Sequence, residues 1–136
     1  MHAQDARGLP MTAQSAAEIA ALDFFVARLA RIDRGADAIL EAARSFPETP
    51  MIQLCAAAFC LFGQSPASEK TAESYLNVAT PLLPSAHDRE RRFHHALTRW
   101  LHRDHLGAAA ALEEITLQWP RDLLARDFQG RRVLVT

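Results

Sequence analysis

Residues 72–84, AESYLNVATPLLP, and residues 108–120, AAAALEEITLQWP, begin 36 positions apart and follow one plan. A small residue (Ala72, Ala108) is followed four positions later by a leucine (Leu76, Leu112). Three positions further on stands Ala79 or Ile115, and each stretch ends in a proline (Pro84, Pro120). A third copy, ADAILEAARSFP at 36–47, carries Ala36, Leu40, Ala43 and Pro47, its proline one position early. Steps of four and three put these residues on one face of a helix. The small residue lets the second helix of a hairpin approach the first, the large one fills the space between hairpins, and proline ends the helix. Such units bury their apolar faces only by stacking on one another.

A period near 34 with a small residue, a large one and a closing proline is the tetratricopeptide pattern. The fold expected is all-α: a tetratricopeptide-like array of three antiparallel helical hairpins plus one additional C-terminal helix, wound as an α-α superhelix.

Punctuation divides the remaining sequence consistently with that plan. The first helix is expected from about Ala16 to Arg31, with Ile19, Leu22, Val26 and Leu29 at helical spacing, Ser15 as cap, and a break at Asp33-Arg34-Gly35. The second covers Ala36 to Phe46. The third, Met51 to Phe62, has Gln53 as its one polar residue, so it is expected to be buried on all sides and closed by Gly63. Ser65-Pro66 opens the fourth, a cap followed by proline at a first helical position. Ser85 with Asp88 reads as a capping box for the fifth, which buries Phe93, Ala96, Leu97, Trp100 and Leu101. A His-Leu-Gly turn at 105–107 separates it from the sixth, Ala108 to Trp119. The seventh runs from Asp122 to Gln129 with Gly130 as its stop. Residues 1–14 are expected to be a flexible leader without the apolar run of a signal peptide, residues 15–130 the repeat domain, and residues 131–136 a tail with strand character.

Residues Arg89-Glu90-Arg91, His94, Ala96-Leu97 and Trp100, the alanine run 108–111, Glu113-Glu114, and the segment from Trp119 to Ala125 together resemble the tetratricopeptide repeat protein 38 family. The resemblance covers roughly residues 20 to 130, and its most specific parts are Arg-Glu-x-x-x-His-x-Ala-Leu and Pro-x-Asp-x-x-Ala. It implies a helical-repeat protein without established catalytic residues, of which this chain matches the amino-terminal portion. The sequence departs from the family at Phe46-Pro47-Glu48 and again after Gly130.

Composition narrows the classes of function. The chain has 136 residues, 49% apolar and 23% charged, with 15 basic against 16 acidic side chains and a net charge of −1. Nothing in that balance points to nucleic acid or to a membrane surface, and a twelve-residue apolar helix falls short of the ~20 residues that span a bilayer. Cys55 and Cys60, five apart, fall on different faces of one helix, about 140° apart, too far to bridge without strain. They read as small hydrophobes in a reduced, cytoplasmic setting.

Four histidines, His94, His95, His102 and His105, gather near the fifth helix. Glu90 and His94 are four apart, so their side chains can meet. A metal-binding or acid–base pair, and with it an enzymatic or ligand-binding protein, is the alternative that this pairing raises. Zinc requires three or four converging ligands, and no cysteine lies nearby, so a structural brace is the favoured reading and no metal, cofactor or catalytic residue is assigned. Arg89, Arg91, Arg92, Arg99 and Arg103 alternate with Asp88, Glu90 and Asp104, a pattern of a salt-bridged surface rather than a phosphate track. Trp100 is expected between hairpins and Trp119 over the end of a helix pair.

The function expected is a protein–protein interaction or scaffolding module that binds a protein or peptide partner, with Glu90, Arg91 and His94 as candidate contacts. A purely structural fragment of a longer repeat protein is the other possibility. Leu123, Leu124 and Phe128 give the last helix an apolar face with no following unit to cover it, from which a homodimer through that helix is expected.

Overall fold

The structure, a computed structural model, describes the backbone of residues 2–30, 35–62 and 65–135, and the side chains of all of these except 2, 29, 30 and 131–135. Among the described residues it is an all-α arrangement of seven helices preceded by a small β-hairpin: β1 (His2–Gln4), β2 (Pro10–Thr12), α1 (Ala16–Ala30), α2 (Ala38–Ser45), α3 (Pro50–Leu61), α4 (Pro66–Ala79), α5 (Asp88–Leu101), α6 (His105–Gln118) and α7 (Leu123–Val135).

The helical hairpins α3–α4 and α5–α6 form the two most extensive contacts, and α1–α2 is a looser pair. The repeated positions behave as close-packing sites require. Ala72, Ala79, Ala108, Leu112 and Ile115 are fully buried, Leu76 and Ala43 nearly so, and Leu40 is half-buried. A methyl group at 72 and 108 sets how near the paired helices come, and any larger side chain there has no free volume.

α3 is the hub. It touches α1, α2, α4, α5 and β2, and Pro50 to Ala58 are buried without interruption. Its one polar residue is not stranded: Gln53 Nε2 donates to the carbonyls of Ala43 (2.9 Å) and Phe46 (3.1 Å), satisfying the last turn of α2. Phe62, just past α3, meets Trp100 with a tilted ring and Phe128 edge-on, the centroids 5.7 Å apart in each case, and Phe93 meets Phe128 edge-on at 5.8 Å. Phe93 and Phe128, which are fully buried, each contribute about 1.5–3 kcal/mol by leaving water.

Several expectations are corrected. The flexible leader is an antiparallel hairpin with His2 opposite Thr12 and Gln4 opposite Pro10. Asp5 turns it by accepting from the amides of Arg7 and Leu9, Gly8 takes φ 76°, and Leu9, Met11 and Ala13 are buried. These three apolar residues alternate along the segment, and their burial offsets the cost of ordering it. Ser85 does not cap α5, because Thr80–Ser85, with Pro81 and Pro84, winds into a 3-10 turn, and the cap moves to His87. The 105–107 turn is the first turn of α6, capped by Asp104, whose Oδ1 accepts from Gly107 N at 2.9 Å.

Gly130 does not stop α7, which continues to Val135, so the tail is helical rather than strand-like. A glycine inside a helix costs only about 1 kcal/mol relative to alanine. Of the helix breaks, Gly35 takes φ 99°, while Asp33, Arg34 and Gly63 lie outside the described residues.

α7 is also not an open end. Leu124, Ala125 and Phe128 are buried, and α7 packs on both α6 and α1. In a one-dimensional stack each unit meets only its neighbours. Here α1 and α7, the first and last helices, are in contact with each other. Leu124 and Phe128 are covered inside the chain, so of the three α7 residues from which a homodimer was expected Leu123, 47% exposed, is the one that faces out; the side chains of residues 131–135 lie outside those described.

Candidate functional site

The start of α5 concentrates the charged residues singled out in the sequence, and the helix cap decides where each one points. His87 Nδ1 accepts from Arg89 N at 3.1 Å, and the Glu90 carboxylate reaches back to accept from His87 N at 2.9 Å, a capping box that folds Glu90 towards the helix start. There the same carboxylate accepts from Thr12 N at 3.1 Å and from Thr12 Oγ1 at 2.6 Å. Glu90 is fully buried.

Arg89 turns the other way, also buried. Its Nε donates to Asp122 Oδ2 at 2.8 Å and its Nη1 to the Pro10 carbonyl at 2.9 Å. Asp122 in turn caps α7, its Oδ1 accepting from Ala125 N at 3.0 Å. Arg91 donates to the carbonyls of Leu83 and Ala86 and so closes the 3-10 turn. The consecutive Arg89, Glu90 and Arg91 thus fasten three pieces together: the N-terminal hairpin, the start of α7 and the 3-10 turn.

Glu90 and His94 do not form the expected pair. Glu90 faces Thr12 and His87, whereas His94 Nε2 lies 3.2 Å from Thr80 Oγ1 and 3.3 Å from the Leu76 carbonyl. Thr80 Oγ1 itself donates to Leu76 O at 2.9 Å, so a proton on His94 Nε2 serves both acceptors. Burial holds the His94 pKa below the ordinary histidine value; the Leu76 carbonyl opposes that shift and His95 adds to it. Glu90 is buried within the chain and presents nothing to the outer surface of α5. Of the three candidates, Arg91 alone is exposed, and His94 is half-buried. Among the described residues no three His, Cys, Asp or Glu side chains group as a metal site.

The groove between α5 and α6 is lined by Asp88, Arg91, Arg92, His95, Ala111 and Glu114. Its charges are paired, Arg92 with Asp88 at 2.7 Å and with Glu114 at 3.7 Å, Arg91 with Asp88 at 3.8 Å. Of the charges read from the sequence as a salt-bridged surface, Asp88, Arg91, Arg92, Arg99, Arg103 and Asp104 are paired at the surface, whereas Arg89 and Glu90 are buried. His95 and His102 are exposed, Trp100 is buried against Phe62, and Trp119 sits 6.1 Å from the His87 ring beside the end of α6. Cys55 is buried and Cys60 half-buried, both as free thiols, and burial pushes both pKa values up, away from the reactive thiolate.

One surface feature went unread. Leu106 and Leu117, 85% and 74% exposed, are the two most exposed large apolar side chains among the described residues. Eleven positions on a helix bring them within about 20° of each other and about 16 Å apart along the axis. Ala110 and Glu113, also exposed, lie in the same stripe. The sequence of α6 carries apolar residues on more than one side, so which of them stays in water depends on where α5 and α7 pack.

Comparison with protein-family models, with curated proteins and with solved structures finds no significant match to this chain. Of the resemblance expected from the sequence, the structure shows a generic all-α helical-repeat arrangement and nothing specific to the tetratricopeptide repeat protein 38 family. No helix among the described residues is long and apolar enough to cross a membrane.

Proposed function

We propose that this chain is a protein-interaction module of the helical-hairpin, tetratricopeptide-like type, holding a partner protein on the outer face of α6. The observation that carries the reading is the stripe Leu106–Ala110–Glu113–Leu117, whose leucines are 85% and 74% exposed on a rigid helix backed by α5. Exposed leucines scattered singly need no explanation, but two on one face of one helix form an anchor pair. Leu106, Ala110 and Leu117 take the i, i+4 and i+11 positions of an amphipathic helix, Glu113 supplies a charge at i+7, and Ala110 between the leucines allows close approach. The tetratricopeptide-like reading is supported by the hairpins α3–α4 and α5–α6 with their buried Ala72 and Ala108. The charged motif at 89–91 is engaged in internal fastening, which leaves the apolar stripe as the better contact surface.

The experiment is affinity capture from the source cell with the wild-type chain and with Leu106→Glu/Leu117→Glu. Both residues are exposed, so the variant keeps its melting temperature. Loss of a reproducible partner from the variant alone supports the reading. Equal recovery on both, or none on either, contradicts it. Light scattering shows whether the partner is a second copy of the chain.

A further inference from the structure

We propose that the groove formed by α5, α3 and the start of α7 is a binding site for an extended peptide segment of another chain, and that residues 9–13 of this chain occupy it in cis. The observations concern β2 and its surroundings and are independent of the α6 stripe. Along 9–13 burial alternates: Leu9, Met11 and Ala13 point into the helices, and Pro10 and Thr12 are half-buried between them. The main-chain groups of the intervening residues are read by two buried charged side chains. Arg89 donates to the Pro10 carbonyl at 2.9 Å, and Glu90 accepts from Thr12 N at 3.1 Å and from its hydroxyl at 2.6 Å. Pockets for alternate side chains together with hydrogen bonds to the main chain between them are how extended peptides are recognised.

Clefts run along the seam of the segment: one beside Ala3, Gln4, Pro10 and His87, one beside Ala6, Arg7, Gly8, Arg121 and Leu123, and one where Gln14 meets Glu18 and Thr49. β1 and β2 are three residues each, and a hairpin of that size is marginal without its support. Releasing it rehydrates Arg89 and Glu90 and uncovers the part of the core that Met11 and Ala13 fill. The groove selects an apolar residue, any residue, a second apolar residue, threonine, then a small residue, the pattern of Leu9 to Ala13.

The test uses the full chain and a fluorescent peptide with the sequence of residues 2–14, followed by anisotropy. Thr12→Val in the full chain removes the hydroxyl donor to Glu90 and weakens the cis occupant. The labelled peptide is expected to bind that variant at least tenfold more tightly than the wild-type chain. A peptide carrying the same threonine-to-valine change is expected to lose at least tenfold on either protein. Absence of binding to both chains at about 1 mM peptide, or equal affinity for both, overturns the proposal. Hydrogen exchange on the wild-type chain decides it should the variant not fold. Amides of Leu9, Met11, Thr12 and Ala13 are expected to exchange at least tenfold faster than those of α3, and their exchange only with global unfolding overturns the proposal.

Discussion

Arg89 and Asp122, 33 residues apart in the chain, meet at 2.8 Å between Nε and Oδ2 with 1% and 0% of their side chains exposed. They belong to the two short motifs that stood out in the sequence, and the structure joins those motifs in one buried ion pair. A buried pair is not a large source of stability, because desolvation of both ions offsets their attraction. Its geometry does fix which helix start lies against which, since Arg89 also holds the Pro10 carbonyl and Asp122 also caps α7.

Removing one partner strands the other. Asp122→Ala and Arg89→Met are each expected to cost about 3–5 kcal/mol in urea unfolding, and the double variant clearly less than their sum. Strict additivity would show that the pair is not coupled.

His94 gives the fold a pH dependence whose sign follows from its lowered pKa. Burial disfavours its charged form, so the folded protein binds fewer protons than the unfolded chain. Its contribution is complete above the ordinary histidine value of 6.5 and is lost as pH falls through the lower folded value. Glu18 adds a second loss below 4.5: burial raises its pKa, but hydrogen bonds from Thr49, Ser15 and the Gln14 amide outweigh that and lower it. Stability measured from pH 8 downward is expected to begin falling near 6.5, and His94→Gln to flatten that first decline.

Much of the helical layout was legible because it is written locally. Ser65 caps α4 by accepting from Ser68 N at 3.1 Å, α3 is buried all round as its near-absence of polar residues requires, and Ala72 and Ala108 sit where small residues are needed. The N-terminal hairpin was not legible, because Thr12 finds its partner Glu90 at a separation of 78 residues. Glu90 and His94 had the right spacing to meet, but the capping box at His87 claimed the carboxylate. The signal for that was a glutamate three positions after a residue able to cap. The α6 stripe was visible only once α5 was known to cover the opposite side.

Arg103 holds φ 61° at the end of α5, where its amide donates to Trp100 O at 2.9 Å and Asp104 N donates to Arg99 O at 2.9 Å. That is a helix-ending turn normally occupied by glycine. The left-handed conformation costs a non-glycine residue about 1–2 kcal/mol, whereas the Arg103–Glu69 bridge at the surface contributes about 1 kcal/mol or less. Arg103→Gly is expected to raise stability by about 0.5–1 kcal/mol when measured in a Glu69→Gln background. A loss there would contradict the assignment of strain to this turn.

The most direct test of the interaction reading is site-specific photo-cross-linking in the source cell. A photoreactive residue is placed at Leu106 or Leu117 on α6, or at Lys70 on α4 as an exposed control. The account predicts a discrete cross-linked species from both α6 positions and none from position 70. Cross-links from position 70 alone, or none from either leucine, would contradict it.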